Sequence, residues 1–113
     1  MVGSGRIVRV QRRFTQIDVF FGTPYRGNPV AVVVDCDGLD VGEMKQFARW
    51  TNLSETTFLL PPTNPAADYR VRFFTPTEEL PFAGHPTLGS AYAWLFYGGT
   101  PRSEKTMIQE CEV

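Results

Sequence analysis

The spacing of apolar positions along the chain predicts short strands interleaved with two helices. Phe14–Phe21 alternates in part, with Ile17, Val19 and Phe20 as its apolar positions, and reads as a strand. Gly22 to Pro29 is a dense cluster of turn formers. Val30–Val34 is an unbroken apolar run rich in β-branched residues, the pattern of a buried strand, and Asp35-Cys36-Asp37-Gly38 closes it. A helix follows. Asp40 stands where it can cap that helix, and Glu43 lies three positions on, the spacing of a capping box. Met44, Phe47, Ala48 and Thr51 recur on one face.

Glu55–Leu60 reads as the next strand, ended by Pro61-Pro62, with a loop over Thr63–Ala67. Asp68–Thr75 alternates, with Tyr69, Val71 and Phe73 set against Arg70, Arg72 and Phe74. A turn region runs from Pro76 to Gly84. Pro86, tolerated in a first helical turn, opens a second helix to about Phe96, and Gly98-Gly99 stops it. Leu88, Ala91, Tyr92 and Leu95 share one face of this helix, and Gly89, Ser90, Ala91 and Ala93 permit close approach on others. A helix so small and apolar is expected at the centre of the domain. Thr106–Val113 reads as a further strand. The order predicts an α+β fold, a mixed or antiparallel sheet wrapped on a helix.

Composition adds that this is one packed domain. Of 113 residues, 42% are apolar and 20% charged, which argues against disorder, and nine Phe supply bulky core side chains. Residues 1–13 are expected to be a flexible leader and 14–113 the folded unit. The net charge of −1 and the lack of a basic stripe argue against nucleic acid as a partner, since the cluster Arg6, Arg9, Arg12 and Arg13 reads as a solvated leader. No stretch has the length of a membrane span, and the leader lacks a signal peptide's apolar run. A cytoplasmic protein with reduced thiols is therefore expected, in which the sequon at Asn52 carries no meaning. Two distant cysteines, Cys36 and Cys111, make no metal motif.

Two segments carry candidate chemistry. Asn52-Leu53-Ser54-Glu55-Thr56-Thr57-Phe58 sets an acid at the start of an apolar strand. Glu79-Leu80-Pro81-Phe82-Ala83-Gly84-His85-Pro86-Thr87 sets the sole histidine beside a helix N-terminus. A carboxylate at the edge of an apolar pocket is suited to general acid–base work near neutral pH, and a histidine can position it or the substrate. Free N–H groups at Gly84–Leu88 suit a substrate carboxylate. On spacing alone, a solvent-facing strand residue at Glu55 and a capping or packing role for His85 remain the simpler readings.

These segments resemble the PhzF family, whose fold is that of diaminopimelate epimerase. The resemblance rests on Ile17-Asp18-Val19-Phe20, Arg26-Gly27-Asn28-Pro29-Val30-Ala31-Val32-Val33, Asn52–Phe58, Phe73-Phe74-Thr75-Pro76 and Glu79–Thr87, in that order. It implies two similar lobes, each a curved sheet around a central helix, with the active site in the cleft between them. It implies Glu55 as the catalytic proton shuttle and His85 as the active-site histidine, with Asn28, Ser54, Gly84, Pro86 and Thr87 around the substrate. The activity implied is isomerisation of a dihydro-hydroxyanthranilate or a related small cyclic carboxylate, with no cofactor and no metal. Relatives that racemise use two thiols, one of them at the position of Gly84; neither Cys36 nor Cys111 stands there, so a single-carboxylate shuttle is implied instead.

Family members are two to three times longer, so 14–113 resembles the amino-terminal lobe only. The second lobe, which brings an aspartate and other polar groups, is expected to be absent. Three outcomes are consistent with that: an isomerase completed by another chain, a non-catalytic binding lobe, or a remnant that self-associates. A lone lobe is expected to expose apolar surface around Tyr92 and Trp94 and to form a homodimer, or to pair with a separate second-lobe chain.

Overall fold

A computed structural model describes residues 13–19, 28–36, 38–103 and 106–111; at Asp18, Val19, Asn28 and His85 it describes the backbone alone. Residues 1–12 of the expected leader, the turn cluster over 22–27 and the two last residues lie outside the described residues; Arg13, expected in the leader, is held to Asp35 through its amide and guanidinium.

Among the described residues, six strands and two helices follow in the order β1 (Phe14–Val19), β2 (Asn28–Val33), α1 (Val41–Thr51), β3 (Glu55–Leu60), β4 (Tyr69–Phe74), β5 (Glu79–Leu80), α2 (Gly84–Phe96) and β6 (Gln109–Glu110). The sheet runs β1-β2-β3-β4-β5, with β6 also on β4. It is mixed. β2 and β3 are parallel, as are β4 and β6, and the other pairs are antiparallel. The α+β reading therefore holds.

Each face of the sheet carries one helix, which explains why Val30–Val33 of β2 is apolar without interruption. Val30, Val32, Leu59, Tyr69, Val71 and Phe73 form one buried cluster with Ala93 of α2. Val33, Phe58 and Phe74 form the other with Met44 and Ala48 of α1. A strand covered on both sides loses the alternation of polar and apolar positions. This is also why Phe74, grouped by periodicity with Arg70 and Arg72, is fully buried.

α1 begins as expected. Asp40 accepts a hydrogen bond from the Glu43 amide at 2.8 Å, and the Glu43 carboxylate accepts from the Asp40 amide at 3.1 Å. α2 begins at Gly84, two residues before Pro86, so the proline is the third helical residue. Its missing N–H is one of the donors that a first turn leaves without an intrahelical partner. α2 lays Pro86, Ser90 and Ala93 on the sheet. Leu88, Tyr92, Leu95 and Phe96 point outward and are exposed, as expected around Tyr92; Trp94 is half-buried against the Tyr69 ring.

β2 and α2 begin two residues earlier than expected, at Asn28 and Gly84, and both short strands differ as well. β5 falls inside the segment read as a turn, because a two-residue strand has no periodicity to show. Among the described residues, the strand expected over Thr106–Val113 pairs only at Gln109 and Glu110.

Candidate active site

The connection from α1 to β3 decides where Glu55 stands. α1 ends at Asn52, whose backbone is left-handed at φ 55°, ψ 28°. Asn tolerates that conformation better than most side-chain-bearing residues. One residue earlier, the Thr51 hydroxyl donates to the Ala48 carbonyl at 3.0 Å and lies 2.9 Å from the Thr56 hydroxyl. The chain thus turns at Asn52, is tied across it by Thr51 and Thr56, and enters β3 at Glu55. There Glu55 is opposite Val30 of the parallel strand β2. Alternation along β3 puts Glu55 on the face of Thr57 and Leu59, the face that α2 covers. One carboxylate oxygen, Oε1, is buried.

α2 runs alongside β3 in the same sense. The Thr57 hydroxyl is 2.9 Å from that of Ser90, and Ser90 donates to the Pro86 carbonyl at 2.7 Å. Farther on, Leu59 and Leu60 share a cleft with Trp94, Tyr97, Gly98 and Gly99. The start of β3 and the start of α2 therefore lie at one end of the lobe.

The residues expected at the site fall at that end. Asn28 is the first residue of β2, two positions before the one opposite Glu55. Ser54 is exposed and directly precedes Glu55. Gly84 is exposed, with open space where a Cβ would project, so the helix start can be approached closely. His85 is the second residue of α2; its side chain lies outside what the structure describes, as does that of Asn28. Pro86 is buried beneath the first turn. Thr87 donates to the Ala83 carbonyl at 2.9 Å, a loop that spans Gly84, His85 and Pro86. Ala83, the residue before the helix, offers no side-chain cap to the first-turn amides. These N–H groups and the positive end of the helix dipole favour an anion.

Three supporting contacts were not legible beforehand. Arg72 grips Glu79 through two hydrogen bonds of 2.7 and 2.8 Å, fixing β5 just before α2. Gln109 donates to the Thr87 hydroxyl at 3.2 Å. Tyr69 donates to Gln109 Oε1 at 2.8 Å, and burial holds its phenol well above the usual tyrosine range, so it stays a donor. A polar residue on an apolar helix, Ser90, was the one available signal for the Thr57 contact. Gln109 and Thr87, far apart in sequence, gave none.

The family model described as PhzC-PhzF, phenazine biosynthesis-like protein, matches residues 17–113. The chain belongs to this family. It is 57% identical to antisense-enhancing sequence 1 of Schizosaccharomyces pombe, over 89% of this chain and 34% of the relative. It is 54% identical to a trans-2,3-dihydro-3-hydroxyanthranilate isomerase of Pseudomonas aeruginosa, over 72% of this chain and 29% of that one. A PhzF-family protein of Bacillus anthracis superposes with a TM-score of 0.78 at 33% identity, over 91% of this chain and 34% of the other. The chain thus spans about a third of the length of the relatives it matches. The PhzF-type fold expected from the motifs is the fold observed, and isomerases stand among the relatives. Among the described residues, no helix is long and apolar enough to cross a membrane.

Proposed function

We propose that this PhzF-type lobe carries the proton-transferring wall of a cofactor-independent isomerase, with Glu55 as the acid–base group. The observation that carries the reading is the placement of Glu55: first residue of a central strand, on the α2 face, with one oxygen buried and the α2 N-terminus at the same end. The substrate class is a small cyclic amino acid or carboxylate, in line with the name of the Pseudomonas relative. Its carboxylate would sit on the first-turn amides of α2. Glu55 would take a proton from one ring carbon. The electron pair would shift through an adjacent double bond, and the same carboxyl would return the proton at the far carbon, so atoms and charge balance without an oxidant. His85 would orient the substrate or the carboxyl, with Asn28, Ser54, Gly84, Pro86 and Thr87 shaping the pocket. No metal is invoked. A second copy of the chain or a second-lobe chain, docked on the apolar outer face of α2, could supply a second wall. We place this chemistry in the cytoplasm.

The test is deuterium uptake from heavy water into trans-2,3-dihydro-3-hydroxyanthranilate and related cyclic amino acids, read by mass spectrometry. Glu55→Gln keeps shape and hydrogen bonding but cannot accept and return a proton, so uptake should fall by about 10²–10⁴-fold. Uptake unchanged in Glu55→Gln would refute the shuttle. Neither uptake nor isomerised product with the unaltered protein would favour a non-catalytic lobe.

A further inference from the structure

One chain of side-chain hydrogen bonds runs along the flank of α2 and ends at its first turn. The Tyr69 ring lies against Trp94 with centroids 5.1 Å apart. Its hydroxyl donates to Gln109 Oε1 at 2.8 Å. Gln109 Nε2 donates to Thr87 Oγ1 at 3.2 Å and to Cys111 Sγ at 3.3 Å. Thr87 Oγ1 in turn donates to the Ala83 carbonyl at 2.9 Å, bridging the turn that contains His85. Every proton in this series has one direction. A tyrosine hydroxyl aimed at an amide oxygen fixes which end of the Gln109 amide faces Thr87. An amide N–H aimed at Thr87 Oγ1 leaves that hydroxyl's own proton for Ala83. The relay supplies order where a cap would normally act, since Ala83 contributes no side-chain cap.

We propose that Gln109 and Tyr69 are positioning residues for the candidate active site, holding the Thr87–Ala83 bridge and with it the turn that presents His85 and the first-turn amides. The proposal rests on the isomerase reading only for its catalytic consequence; the relay itself is testable without turnover. Both residues act through Thr87, and a relay with fixed polarity tolerates shape-preserving changes poorly. In Gln109→Leu the side-chain volume is kept but no donor reaches Thr87. In Tyr69→Phe the ring and its contact with Trp94 are kept, but the Gln109 amide is free to flip. In Gln109→Glu a carboxylate accepts from both hydroxyls, drawing the Thr87 proton away from Ala83.

His85 is the sole histidine, so its Cε1–H proton gives one resolved NMR signal in the full chain. The indole N–H of Trp50, on α1 across the sheet, serves as an internal reference. The expected result is that Gln109→Leu, Gln109→Glu and Tyr69→Phe each displace the His85 signal while leaving that of Trp50 in place. Thr63→Ala, which removes a neighbouring contact to Glu110 of β6, should move neither. Should Gln109→Leu fail to fold, Tyr69→Phe decides alone. A His85 signal unmoved in folded Tyr69→Phe overturns the proposal, as does equal displacement of His85 and Trp50, which would mark general loosening. In the deuterium assay the same variants should lower kcat by about 10- to 100-fold, the scale of a misplacement near 1 Å, with a smaller change in KM. If the unaltered protein shows neither uptake nor isomerised product, the isomerase reading fails, and the NMR result still decides the relay.

Discussion

The hydroxyls of Thr57 and Ser90 meet at 2.9 Å in a place neither shares with water, joining the central strand to α2. Ser90 already donates to the Pro86 carbonyl. The proton between the two hydroxyls is therefore that of Thr57. Ser90→Ala should leave a buried donor without a partner and cost about 1–3 kcal/mol. The pair Thr57→Val with Ser90→Ala should cost less than the sum of its parts, because both polar ends leave together. Urea denaturation of the two single variants and the double variant measures the coupling, and strict additivity would contradict a direct bond between the two hydroxyls.

Asn52 sits in the left-handed region at the turn that delivers Glu55 to β3. Asn52→Ala should destabilise by about 1 kcal/mol, because a Cβ without a local polar contact disfavours that backbone. Asn52→Gly should be neutral or stabilising. Thermal melts that rank Ala at or above Gly would show that the turn relaxes elsewhere.

Acid should loosen the edge that holds β6. Hydrogen bonds from the Thr63 hydroxyl and the amides of Asn64 and Thr63 hold the Glu110 carboxyl below the usual carboxylate range. Amides of Ile108 and Arg102 do the same for Asp68. A carboxyl whose value is depressed on folding contributes stability that is fully present above its unfolded value, near pH 4. That contribution fades as the pH falls through the lower folded value. Melting temperature should hold from pH 7 to about 5 and drop below about 4. Asp68→Asn and Glu110→Gln should each flatten the drop. An unchanged acid profile in both would assign it to other carboxyls.

Leu88, Tyr92, Leu95 and Phe96 form an apolar surface on α2 that is open in a single copy. Self-association through it is the expected outcome for the isolated chain. Light scattering at micromolar concentration should report a dimer, and Tyr92→Asp should return it to monomer. Monomer alone in the unaltered protein would remove the second copy as a wall of the site.

Local signals made much of the fold readable. The Asp40–Glu43 capping box, the face of Met44 and Ala48, and both ends of β3 need only neighbours a few residues away. Short-range signals fail where a feature depends on distant partners. Phe74 is buried because α1 covers it, and Glu79–Leu80 forms a strand because β4 is there to pair. Glu55 and the start of α2 were legible as separate motifs. That they share one end of the lobe follows from the parallel run of β3 and α2, which no local pattern encodes. The Tyr69–Gln109–Thr87 relay is illegible for the same reason.

The mixed pairing of β3 has a consequence for the order in which the lobe assembles. β3 meets β4 across a short loop, so that ribbon can close early at small entropic cost. β3 meets β2 in parallel only after the whole of α1 has been traversed. The pairing that sets Val30 opposite Glu55 is thus the non-local step, the kind that slows folding. Substitutions that weaken α1, such as Asp40→Ala, are expected to lower the refolding rate, whereas changes confined to the β3–β4 loop should act mainly on unfolding. Glu55 takes its place at the head of β3 only when that distant pairing closes.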